Sequence, residues 1–206
     1  RLRSPAHSAW RVGCGCKPGD GRAMRPVERL VRYRITALSL ASTMLSALDE
    51  LVGYPYGCVE QTMSRFLPTV IVANAFKDLN APISEATKKE LPKMVDAGFN
   101  RLYSMQHYDG GWGWWTNDQS QPFMTAYVVY GLTLGNSAGY PVKQDVYKKG
   151  IAAIKTQLKE TNIDASTRAY MLYSLSYAEN KDTKLFEEQL ELLSKAELND
   201  YAIALL

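Results

Sequence analysis

At 206 residues, 46% hydrophobic and with a net charge of +3, the chain fits one domain with a real core and is ordinary in composition for a globular protein. No apolar run reaches the roughly 18 residues of a transmembrane helix, and no signal peptide is recognisable. Three cysteines, Cys14, Cys16 and Cys58, cannot all pair internally, so they do not define a disulfide framework.

The charge is unevenly spread. Residues 1–34 hold nine Arg or Lys against Asp20 and Glu28, a net of +7, whereas residues 35–206 carry a net of −4. A basic arm can signal nucleic-acid or membrane contact, but the mildly acidic remainder gives a nucleic-acid role little support. The arm is rich in Arg, Gly and Pro and has no helical or strand period. It is expected to be disordered or foreign to the domain that follows. His7, Cys14 and Cys16 lack the paired spacing of a zinc site, and no metal is expected there.

From Ile35 the pattern turns helical. Leu38, Leu40, Ala41, Met44, Leu45, Leu48 and Leu51 recur every three or four residues to about residue 52. Gly53-Tyr54-Pro55-Tyr56-Gly57 then breaks the helix. A second helix runs on through Val70, Val72 and Phe76 to an exit at Leu79-Asn80, with Pro68 expected to kink or split it.

At the start of that second helix stand Cys58 and Gln61. Positions i and i+3 share a helix face, so the thiol sulfur is placed to reach the carboxamide carbon. Loss of ammonia would join the two as an internal thioester, an acyl donor built from the chain's own atoms. Gly57-Cys58-Val59-Glu60-Gln61 resembles the thioester motif of the alpha-2-macroglobulin and complement family. The longer run from Tyr54 to Pro68, YPYGCVEQTMSRFLP, is similar to the bacterial alpha-2-macroglobulins in particular.

Ser84 is a candidate cap for a third segment reaching about Met105, with a break expected near Pro92. Then comes His107-Tyr108-Asp109-Gly110-Gly111-Trp112-Gly113-Trp114-Trp115. Helices are expected at about 122–135, 143–159, 165–179, 182–196 and from 199 onward, with Asp164 capping the third of these. No segment alternates as a strand. Short helices in successive hairpins give an all-α fold. Gln106-x-x-Asp109-Gly110-Gly111-Trp112 resembles the Gln–Trp element of α/α-toroids, the architecture shared by terpene cyclases, prenyltransferases and thioester domains. We therefore expect residues 35–206 to be a thioester domain built as an α/α-toroid. The ring is expected to be incomplete, because the chain lacks an initial Met and stops inside the apolar run Tyr201–Leu206.

The residues leave roles open. A thioester survives only where water is excluded, and Tyr54, Tyr56, Trp112, Trp114, Trp115, Phe123 and Tyr127 are candidates for an aromatic shell or for plain core packing. Glu60 either orients the motif or merely complements the helix N-terminus. Gly57 permits a tight turn or a positive φ. His107 reads as structural; paired with Cys58 it would instead form the nucleophile and base of a hydrolase. A toroid cyclase or prenyltransferase would need an Asp-rich motif or a zinc set, and neither is visible.

The resemblance implies more. Family members trap proteases by coupling them to an exposed thioester, so it implies an endopeptidase inhibitor rather than a turnover enzyme. It needs no cofactor, and it is attacked by amines such as lysine side chains of the target protease. It implies further macroglobulin domains as partners and a periplasmic or extracellular setting. A toroid that serves only as an interaction module, with no thioester formed, is the alternative.

Overall fold

The computed structural model describes Thr43 and residues 55–79, 85–178 and 182–206. The arm at 1–34, the helix expected at 35–52 apart from helical Thr43, Tyr54, Ser84, Asn80 and the group His7, Cys14 and Cys16 lie outside the described residues. All described residues belong to the unit Leu40–Leu206.

Among the described residues there are seven helices and no strand. They are α1 Val59–Leu79, α2 Glu85–Ser104, α3 Pro122–Ser137, α4 Gln144–Gln157, α5 Ala165–Tyr177, α6 Thr183–Ser194 and α7 Asp200–Leu205. The fold is all-α. The odd-numbered helices pack on one another in succession, α1 on α3, α3 on α5 and α5 on α7. Each even-numbered helix covers the odd helix before it, and α2 and α4 also touch the odd helix that follows. Two layers of hairpins laid side by side in this order are the arrangement of an α/α-toroid.

Helical spacing explains the core. Val59, Met63, Phe66 and Val70 of α1 are buried at steps of four, three and four, so they form one face. They meet Val95, Phe99 and Leu102 of α2, which follow the same rule. Phe66 and Phe99 touch with ring centroids 5.0 Å apart. Each such side chain contributes about 1.5–3 kcal/mol when fully buried. α3 is buried on more than one face, at Met124, Ala126, Val128, Val129 and Leu132, because α1, α2, α4 and α5 all pack against it. Its buried hydroxyls are satisfied internally: Thr133 donates to the Val129 carbonyl at 2.8 Å.

Starts and stops follow local chemistry. Pro122 opens α3, where its missing N–H costs nothing. Asp164 caps α5 by accepting the Thr167 N–H at 2.9 Å, and Asp182 and Asn199 do the same for α6 and α7. The split at Pro68 and the break near Pro92 need correction. α1 is not split at Pro68, and α2 runs unbroken through Pro92. Each proline removes one backbone bond, but buried Phe66, Val70, Leu91 and Val95 on either side hold the two halves to the same core.

Arg168 ties the later hairpins together. Its buried guanidinium donates to the carbonyls of Leu158 at 2.7 Å and Glu160 at 2.8 Å, and also to the side-chain oxygen of Gln189 on α6. A cation is thus seated against the carbonyls leaving α4, where the helix dipole favours it.

Candidate functional site

The Cys58 carbonyl accepts the Thr62 N–H at 3.0 Å, which makes Cys58 the cap residue of α1 and Gln61 its third helical residue. Gln61 turns back so that its Oε1 accepts the Cys58 backbone N–H at 3.2 Å. This is the reciprocal half of a capping box, in which a Glu or Gln at that position satisfies the cap residue's own N–H. The same fold-back lays the carboxamide over the residue whose thiol would attack it. Cys58 is buried and is a free thiol, whereas Gln61 is exposed.

Gly57 makes the fold-back possible. Its φ is +88°, and a Cβ at this position would lie 1.8 Å from Gln61 Oε1 and 2.9 Å from its Cδ. No other residue leaves that space while accepting the left-handed backbone. From α2, Arg101 Nη2 donates to the Gly57 carbonyl. Glu60 adds negative charge to the first turn and accepts from the Ser64 hydroxyl at 2.6 Å. Tyr127 of α3 stands beside this pair; burial holds its phenol above the ordinary tyrosine range, with the Ser64 hydroxyl and the Glu60 carboxylate as lesser influences.

The loop 105–121 meets the motif through backbone. Val59, the residue after Cys58, donates its N–H to the Trp114 carbonyl at 3.0 Å, so an otherwise orphaned donor of the first turn is satisfied. Asp118 Oδ2 accepts from the N–H groups of Trp114 at 2.8 Å and Trp115 at 3.1 Å. The His107 Nε2 lies 2.8 Å from the Trp115 carbonyl and Nδ1 lies 2.9 Å from Ser120 Oγ. Ser120 in turn donates to Asp109 at 2.8 Å.

The Gln–Trp element anchors this loop. Gln106 Nε2 donates to the carbonyls of Gly110 and Val146, both at 2.9 Å, which fastens the loop to α4. Trp112 is fully buried and its indole donates to the Leu102 carbonyl at 2.8 Å. Gly110, with φ +85°, passes so close to α4 that a Cβ would sit 2.7 Å from the Lys149 carbonyl oxygen.

The expected aromatic shell is dispersed. Trp112 is a core residue, while Trp114 and Trp115 are 47% and 56% exposed. Tyr56 is exposed as well; its hydroxyl accepts from Arg65 at 2.9 Å, and that guanidinium stands 4.4 Å from its ring centre. Phe123 stacks on Tyr170 of α5, 5.1 Å between centroids. From this group the structure brings to the motif the Trp114 backbone carbonyl, on the Val59 N–H, and Tyr127, beside Glu60 and Ser64. His107 is enclosed by Ser120, Trp115 and Asp118, which leaves neither ring nitrogen free to serve as a base for Cys58. Among the described residues no three His, Cys, Asp or Glu side chains converge as a metal site, and no helix is long and apolar enough to cross a membrane.

Sequence reasoning missed Arg101, Asp118 and Ser120. A signal for the first was present. Beyond residue 34 there are only Arg65, Arg101 and Arg168 among twelve lysines. All three arginines make directed hydrogen bonds, as expected where a planar multi-donor fork rather than a simple charge is needed.

Comparison with known proteins gives the family. The model of the A-macroglobulin TED domain matches residues 35–144. An alpha-2-macroglobulin of Thermotoga maritima is 40% identical over 138 residues, covering 66% of this chain and 8% of that protein. Native alpha-2-macroglobulin from Escherichia coli, solved from domain MG7 to the C-terminus, superposes with a TM-score of 0.58 at 26% identity, over 72% of this chain and 25% of that one. Salmonella alpha-2-macroglobulin reacted with methylamine gives a TM-score of 0.57 at 27% identity, over 74% and 11%. The chain therefore spans about a tenth of the full relatives it matches. With the matched residues taking in Cys58, Gln61 and the Gln–Trp loop, the chain belongs to the A-macroglobulin TED domain family.

Proposed function

We propose that Cys58 and Gln61 form an internal thioester and that this chain is the acyl-donating domain of an alpha-2-macroglobulin-like endopeptidase inhibitor. One observation carries the reading: the Gln61 carboxamide is folded back onto the Cys58 N–H at 3.2 Å, over a glycine that alone leaves it room. A buried thiol beside an exposed carboxamide suits a bond kept from water on the sulfur side and open to an attacking amine on the other.

The donor works once. An amine, such as a lysine side chain of the protease, takes the acyl group and Cys58 is left as a thiol, so the inhibitor is consumed and does not turn over. The bond consists of the chain's own atoms and needs no cofactor. Gly57 provides the space, Glu60 favours the helix start, the Trp114 carbonyl holds the Val59 N–H, and buried Trp112 anchors the loop that carries it. The methylamine-reacted Salmonella relative supports an amine-seeking bond, and the names of the relatives support protease targets and further macroglobulin domains as partners. The same reading places the protein in the periplasm or outside the cell.

Intact mass of the full-length protein before and after methylamine tests it. The expected result is a mass short by one ammonia, then a gain of one methylamine with a new titratable thiol at Cys58. A full mass before treatment and no uptake afterwards would leave the motif as a capping box in an interaction module.

A further inference from the structure

We propose that Arg101 is the positioning residue for acyl transfer at Gln61, acting through the Gly57–Cys58 peptide; this rests on the thioester reading above. That peptide is held at both ends. Its carbonyl, on Gly57, accepts from Arg101 Nη2, and its N–H, on Cys58, donates to Gln61 Oε1 at 3.2 Å. A trans peptide is planar, with C=O and N–H pointing in opposite directions. Fixing the carbonyl therefore aims the N–H. At φ +88° Gly57 offers little steric resistance to rotation of this unit, so an external grip is needed to set its direction.

The oxygen so addressed is the one on which charge collects. To form the thioester, Sγ attacks Gln61 Cδ and the carbonyl electron pair moves to Oε1. Collapse restores the carbonyl, breaks the C–N bond and releases ammonia, which carries away the thiol proton. On opening, the amine nitrogen attacks Cδ and the pair moves to Oε1 again. Collapse then breaks Cδ–Sγ, sulfur leaves as thiolate, and the surplus proton of the amine goes to it. Both directions pass through an anion at Oε1, and a donor already aimed there costs no reorganisation. A cation on the far end of the same peptide also polarises it and strengthens its N–H as a donor.

Arg101 differs from the arginine that serves the fold. Arg168 donates to three acceptors from two other elements and their connections. Arg101 has the Gly57 carbonyl as its acceptor among the described residues, and its buried Nε has none. It reaches the motif from the last turn of α2, 44 residues away in sequence. A side chain so placed is aimed at one peptide.

The test uses the full-length protein with Arg101→Met and Arg101→Lys, each checked for native circular dichroism. Thioester content is read as ammonia loss by intact mass, and opening as thiol release over a series of methylamine concentrations. For R101M the second-order rate constant of opening is expected to fall by about tenfold or more. R101K, which keeps a cationic donor in reach of the Gly57 carbonyl, is expected to recover part of it. A folded R101M with full ammonia loss and an unchanged rate overturns the proposal. So does an R101K that loses as much rate as R101M while folding like the unsubstituted protein. If the unsubstituted protein itself shows no ammonia loss, the thioester reading falls and the role of Arg101 falls with it.

Discussion

Gln61 Oε1 accepts the backbone N–H of Cys58 at 3.2 Å, so the side chain proposed to carry the acyl bond also caps α1. These two duties separate on substitution. In Gln61→Glu the carboxylate keeps the capping contact and adds favourable charge at the helix N-terminus. Stability is expected to stay the same or rise by a few tenths of a kcal/mol. Ammonia loss is expected to vanish, because a carboxylate does not release ammonia. Chemical unfolding and intact mass of the same sample check both halves. A Q61E protein destabilised by more than about 1 kcal/mol would mean that the carboxamide has a packing role instead.

Gly57→Ala strikes the same contact from the other side. The new methyl would stand 1.8 Å from Gln61 Oε1, on a backbone with φ +88°. Either the peptide turns or the carboxamide swings out to solvent. The expected cost to folding is about 1–2 kcal/mol, and methylamine uptake is expected to disappear in a protein that still folds. Retained uptake would show that Gln61 reacts from another rotamer.

The tie between Val59 and the Trp114 carbonyl makes the loop a support for the motif, and Asp118 holds that loop through two backbone N–H groups. Asp118→Ala is expected to cost about 1–2 kcal/mol, less than a buried carboxylate would, because the group is partly exposed. The lifetime of the methylamine-reactive state in plain buffer is expected to shorten several-fold as the start of α1 loosens. An unchanged lifetime would separate the loop from the chemistry.

Arg168 bears on the fold without touching the motif. Arg168→Met leaves the Leu158 and Glu160 carbonyls and the Gln189 side-chain oxygen without their shared donor. The expected loss is about 3 kcal/mol, measured by urea unfolding. Methylamine uptake at low temperature, where the variant remains folded, is expected to match the unsubstituted protein.

The sequence was most legible where local chemistry and tertiary structure agree. The cap at Asp164, the helix opened by Pro122 and the Gln106–Trp112 element each depend on neighbours within a few residues, and periodicity exposes them. The Cys58–Gln61 contact belongs to the same class, since i and i+3 on one helix are neighbours whatever surrounds them. A split at Pro68 and a break near Pro92 did not follow, because whether the helix continues is decided by the buried faces on either side, not by the proline alone. The partners of Arg101 and Asp118 were hidden for a related reason. Arg101 reaches Gly57 across 44 residues, and Asp118 works through backbone N–H groups that no residue type advertises. The need to exclude water suggested an aromatic shell that included Trp112 and Trp114, yet one is in the core and the other is exposed.

The tyrosines set the alkaline limit. Tyr103, Tyr127, Tyr140 and Tyr170 all have phenols held above the ordinary range, with burial the largest cause in each, and Tyr170 most strongly. A tyrosine is charged when it has lost its proton, so burial favours the protonated form in the folded state. Unfolded tyrosines titrate near 10. Below that value both states keep the proton and the burial imposes no pH dependence. Above it the unfolded chain releases protons that the folded chain retains, so stability falls as pH rises. Each tyrosine that titrates only in the unfolded state steepens the fall by up to about 1.4 kcal/mol per pH unit. The measurement is best made on Cys58→Ser, in which alkaline opening of a thioester plays no part. Urea midpoints are expected to be level from about pH 7 to 9 and to drop beyond 10. In Tyr170→Phe, which keeps the ring against Phe123, the drop is expected to be shallower by one tyrosine's share. Equal slopes in the two proteins would mean that Tyr170 ionises without unfolding and is not the buried phenol its place between α3 and α5 implies.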